Sequence, residues 1–179
     1  MIILGIDPGI RHTGWGVIRD NGRARKLEYI ASGVVHPNVG AALADRLHII
    51  LRSTRELAQR YCPDECAVEE TIVNMNMRTS LHLAHARAAA ICGVRDGAVE
   101  TICEYSPASI KKAVGGCGDK SKDGVFRIVK ALLGNPEIEA LDASDALACA
   151  IAHALKPRIA IRGEGMPRLV TRSGRIHYA

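Results

Sequence analysis

The sequence predicts an α/β domain built on a mixed sheet, and three observations carry that prediction. Residues 1–35 read as a three-stranded antiparallel meander. Residues 66–68 are a short apolar strand reached only after a long helix. Helical segments then alternate with one further strand as far as residue 155. At 179 residues, one domain with a sizeable core is expected. With 47% apolar residues but only 3% aromatics, that core is built from Ala, Leu, Ile and Val.

Residues 1–6 are apolar and mostly β-branched, as in a buried strand, and they end on Asp7. A carboxylate there is costly unless paired or bound to a cation. Pro8 and Gly9 punctuate a turn, and residues 13–18 return as the second strand, with glycines that allow close backbone or ligand approach. Taken alone, this is equally an ordinary hairpin with a turn aspartate. Asp20-Asn21-Gly22 marks the next turn and residues 26–35 the third strand. Pro37, Asn38 and Gly40 break the pattern. Residues 41–61 then place Leu43, Leu47, Ile50, Leu57 and Tyr61 on one helical face, and Pro63-Asp64 stops the helix.

The strand at 66–68 runs into Glu69 and Glu70. Arriving after a helix, it is expected to lie parallel to its neighbour. Alternation turns Glu70 away from the face that Glu69 occupies. Residues 71–80 lack a clean period and read as a polar loop with Asn74, Asn76 and Arg78, placed to touch substrate or simply to connect. Residues 81–94 form an Ala-rich helix able to pack on the sheet or on another subunit. Residues 99–105 are a strand. Ser106 and Pro107 open a short helix over 108–114. Gly115, Gly116 and Gly118 make a joint, and 125–133 is a helix closed by Gly134 and Pro136.

The last helix spans 141–155. Asp142 and Asp145, three apart, share a face of an otherwise apolar segment and repel each other unless a cation intervenes. Residues 156–179 carry six Lys or Arg against Glu164 and read as a basic, flexible tail.

The net charge of +5 and pI of about 9.0 favour a polyanionic partner. No run of about 18 apolar residues is present, and no secretory signal is visible, so a cytoplasmic protein is expected. The six cysteines are scattered without a C-x-x-C pair, which suits reduced, largely buried thiols rather than zinc.

Asp7, Glu69, Asp142 and Asp145 therefore form a candidate cluster. Hard divalent cations such as Mg2+ take oxygen ligands, and two such ions about 4 Å apart activate water and stabilise the leaving oxygen of a phosphodiester. This composition favours metal-dependent phosphate chemistry over a purely structural role.

The segments I-L-G-I-D-P-G-x-x-x-T-G-W-G-V-I, A-V-E-E and D-A-S-D-A-L-A-C-A-I-A-H, in that order and spacing, strongly resemble the RuvC family of Holliday junction resolvases over residues 1–155. The resemblance implies a ribonuclease-H-like fold with a five-stranded mixed sheet, its first three strands antiparallel, flanked by helices. It implies a homodimer that makes paired, symmetric nicks in four-way junction DNA during recombination and repair, together with a branch-migration helicase complex. It makes Asp7, Glu69, Asp142 and Asp145 the catalytic, metal-binding carboxylates for two Mg2+ ions, replaceable by Mn2+, with Asp7 bridging. Lys111 and Lys122 match the family's K-x(10)-K lysines near the scissile phosphate, and Arg78 and Ile72 join the DNA-contacting set. Ile72 departs from the family, which often carries an aromatic there; isoleucine can wedge between bases but cannot stack a π face.

Three other readings remain open on sequence. Actin-like ATPases share the opening strand and Thr-Gly hairpin but need a second lobe. A ribonuclease-H-like nuclease acting on RNA shares the first motif. A non-catalytic junction-binding protein would be expected to have lost carboxylates.

Overall fold

The computed structural model describes residues 1–22, 26–71, 77–115, 121–156, 169–172 and 175–178. Five strands form one sheet: β1 (Ile2–Asp7), β2 (Thr13–Asp20), β3 (Leu27–Val35), β4 (Glu65–Glu69) and β5 (Thr101–Tyr105). Their order is β3-β2-β1-β4-β5. β1, β2 and β3 are antiparallel, whereas β1, β4 and β5 are parallel, as the helix-first arrival of β4 predicted.

Strand alternation sorts the core into two layers. Leu4, Ile6, Val17, Cys66 and Val68 face α1 (Leu43–Tyr61) and α2 (Met77–Asp96). Ile3, Ile18 and Ala67 face α3 (Pro107–Gly115), α4 (Lys122–Leu132) and α5 (Leu141–Leu155). α1 stops where Cys62 takes a left-handed conformation (φ 43°) and its N–H donates to the Ala58 carbonyl at 2.9 Å, just before Pro63. α4 starts on Ser121, whose side chain accepts from the Gly124 N–H. The Ala-rich helix finds its partner within the chain, because Ala86, Ala90 and Val94 of α2 are buried with Ile50 and Ala58 of α1.

Two helix starts need correction, since α4 opens at Lys122 rather than at residue 125. The loop expected over 71–80 gives way to helix from Met77, so Arg78 lies in the first turn of α2. The period is masked there because Met77, Arg78 and Thr79 are all exposed. Ile72 and residues 73–76 lie outside the described residues, as do 116–120 of the glycine joint. Within the basic tail, β6 (Leu169–Arg172) and β7 (Arg175–Tyr178) pair as an antiparallel ladder. The short alternating runs either side of Ser-Gly were the available signal.

Cys66 and Cys149 are buried and Cys103 is half-buried, whereas Cys62 and Cys92 are exposed; all five are free thiols. No helix among the described residues is long and apolar enough to cross a membrane.

Candidate active site

Asp7 and Glu69 are the last residues of adjacent parallel strands. The register pairs Ile6 with Val68, which sets the two acids side by side one step further on. Both belong to the alternation set that faces α5, since Ile3 and Ala67 of the same strands pack in that layer. Glu70 lies beyond the end of β4, exposed, with its N–H donating to the Tyr105 carbonyl at 2.8 Å.

α5 reaches these strand ends because two positions lack a side chain. A Cβ on Gly5 would sit 2.0 Å from the Ala146 carbonyl oxygen, and one on Gly14 would sit 1.9 Å from that of Asp142. Gly14 is the cross-strand partner of Asp7. The first turn of α5 therefore rests on the strand position beside Asp7, and it carries Asp142 and Asp145 there. All four acids are half-buried.

Electrostatics agree with this placement. Cys149, one turn after Asp145, is 0% exposed; burial chiefly, and then the charges of Glu69, Cys66 and Asp7, push its thiol well above the ordinary range. The carboxylates of two strands thus act on a residue of α5. Among the described residues, no three His, Cys, Asp or Glu side chains are gathered as a metal-binding group.

The remaining candidates lie on three other helices. Lys111 is exposed on α3, Lys122 is the first residue of α4, and Arg78 is exposed on α2. α3 and α4 are tied to α5 through Ile110, Val114, Val125 and Val129 in the shared core.

Sequence reasoning missed the groups that hold the turn behind Asp7. Thr13 is 0% exposed; its hydroxyl donates to the Gly9 carbonyl at 2.8 Å and accepts from the Gly9 N–H at 3.4 Å. Arg46 of α1 donates to the Ile10 carbonyl at 2.6 Å. A buried threonine at the start of a strand was the only signal, and nothing in the sequence links Arg46 to residue 10.

A second network, also missed, closes the other end of α5. His153 Nε2 lies 2.5 Å from Glu65 Oε2, and its Nδ1 lies 2.7 Å from the Tyr105 hydroxyl. Lys156 caps the Tyr105 ring, with its Nζ 3.9 Å from the centroid.

Comparison with known proteins agrees with this architecture. A family model described as "Crossover junction endodeoxyribonuclease RuvC" matches residues 3–153. A protein of that description from Thiobacillus denitrificans is 45% identical over 169 residues, covering 94% of this chain and 96% of its own. Another from Hyphomonas neptunium is 45% identical over 152 residues, covering 85% and 89%. The solved structure of T. thermophilus RuvC in complex with Holliday junction substrate superposes with a TM-score of 0.77 at 29% identity, covering 87% of this chain and 93% of that one.

Proposed function

The chain belongs to the RuvC family of crossover junction endodeoxyribonucleases, and from that premise we propose that it resolves four-way DNA junctions by paired phosphodiester hydrolysis at Asp7, Glu69, Asp142 and Asp145. The observation that carries the site is the seating of α5 on Gly5 and Gly14, which delivers two acids to the end of the sheet where two strands deliver the others.

The donor set fits hard divalent cations. All four groups are carboxylates, and all four are half-buried. Mg2+ is usually held by one or two carboxylates plus substrate phosphate and water. Two Mg2+ ions, or Mn2+ in their place, would be held by Asp7, Glu69, Asp142 and Asp145. When bound they supply an activated water and a counter-charge for the leaving oxygen.

The chain's own residues do the rest. Thr13 and Arg46 fix the turn behind Asp7, and buried α5 holds Asp142 and Asp145 in place, so the acids need little reorganisation as the phosphate enters. Lys111, Lys122 and Arg78 hold the backbone phosphates around the cut, and Ile72 acts at the opened centre of the junction. The products carry 5′-phosphate and 3′-hydroxyl ends. A homodimer matches the two-fold junction and places one site on each of two strands. A branch-migration helicase is the expected partner, and the cytoplasm is the expected place of action.

The test is cleavage of a synthetic four-way junction beside a linear duplex of the same sequence, with and without Mg2+. Paired, Mg2+-dependent nicks in the junction alone are expected, with affinity that falls steeply with salt. Tight junction binding without cutting would favour a binding protein. Equal action on RNA or duplex would overturn the substrate assignment.

A further inference from the structure

His12 and His36 stand opposite each other one step beyond the end of the β2–β3 ladder, whose last rung pairs Thr13 with Val35. Their Nδ1 atoms are 2.9 Å apart, with ring centroids separated by 5.0 Å and planes inclined at 77°. Both side chains are exposed. Their backbones are fixed from beneath: Thr13 is stitched to Gly9, and Pro37, which follows His36, is buried.

We propose that this pair is a bidentate site for a transition-metal ion, Ni2+ or Cu2+, separate from the carboxylate site. Imidazole nitrogens bind such ions at about 2.0–2.1 Å, so two of them 2.9 Å apart subtend about 90° at the ion. That angle suits the tetragonal and octahedral geometries of Cu2+ and Ni2+ better than the tetrahedral geometry of Zn2+. Nitrogen donors also select these ions over Mg2+, which prefers oxygen. A groove beside the pair is lined by His36, Glu137 and Glu139, whose carboxylates raise the local cation concentration. Water fills the remaining coordination positions, since no third histidine or acid among the described residues completes a ligand group. Without the ion, one imidazole N–H donates to the other ring's Nδ1.

The experiment is a calorimetric titration of untagged, full-length protein with NiCl2, in excess Mg2+ to occupy the carboxylates. Wild type should take up one Ni2+. His12→Ala and His36→Ala should each weaken binding at least about 100-fold, because the second imidazole no longer engages as an intramolecular ligand. His82→Ala and His85→Ala, on α2, should bind as wild type does. With Cu2+, electron paramagnetic resonance should show coupling to two nitrogens in wild type and one in each single variant. Wild-type affinity in His12→Ala or His36→Ala, loss of binding in His82→Ala or His85→Ala, or wild-type binding no tighter than in the His12→Ala/His36→Ala double variant would overturn the proposal.

Discussion

The two ends of α5 treat acidic residues in opposite ways. At its carboxyl end, Glu65 meets His153, which also holds the Tyr105 hydroxyl, so a single acid is absorbed into a hydrogen-bonded chain between helix and sheet. At its amino end, the first helical turn brings the backbone positions of Asp142 and Asp145 beside the strand ends that carry Asp7 and Glu69. The same helix, on the same layer of the sheet, is anchored at one end and loaded with charge at the other. Rigidity at the anchored end makes the loaded end tolerable, because a helix buried at Ala143, Ser144 and from Ala146 to Ala152 cannot swing away to relieve repulsion.

The largest loss of stability is expected where α5 meets the sheet beside Asp7. Gly14→Ala forces a methyl group onto the Asp142 carbonyl and should cost about 3 kcal/mol, the upper part of the overpacking range. Junction cleavage should fall further than the folded fraction does, because Asp142 moves with the backbone. Urea melts and nicking assays on the same samples check this; unchanged cleavage would mean that α5 is not placed by this contact.

A smaller effect is expected at the anchored end. His153→Ala leaves the Tyr105 hydroxyl and Glu65 without their shared partner, which should cost about 2 kcal/mol. Cleavage per folded molecule should persist. A loss of cleavage equal to that of an acid variant would erase the contrast between the two ends.

The smallest effect is on pH. Burial above all raises the Tyr105 hydroxyl, and burial followed by neighbouring charge raises the Cys149 thiol, from ordinary values of 10.0 and 9.0. The folded state holds these protons more tightly than the unfolded chain. Their contribution is therefore complete below about pH 9 and declines above it, as the unfolded chain ionises first. Thermal melts between pH 7 and pH 10.5 should show Tm falling only at the alkaline end; a Tm that rises there would contradict the assignment.

Much of this contrast is legible in the sequence, because it rests on local patterns. A β-branched run ending on Asp7, a short strand ending on Glu69, and two aspartates on an apolar helix each announce a costly placement by themselves. The bounds of α5 match the expected 141–155, and its apolar run is uninterrupted from Ala146 to Ala152. The Met77 start of α2 was hidden because Met77, Arg78 and Thr79 are all exposed, so burial leaves no period there. The Glu65–His153–Tyr105 chain was hidden for a different reason. It joins residues 48 and 88 apart, and no local pattern encodes such a pairing. The glycine track had a partial signal: glycines in strand interiors mark close approach, but not by what.

The most direct test of the central claim is Asp7→Asn, with junction binding and cleavage measured side by side. The substitution keeps the shape and removes one charge from the end of β1. Binding should stay near wild type while cleavage falls by about 1,000-fold, equivalent to about 4 kcal/mol of transition-state stabilisation. Cleavage at the wild-type rate would show that the chemistry does not take place where the two strands meet the amino end of α5.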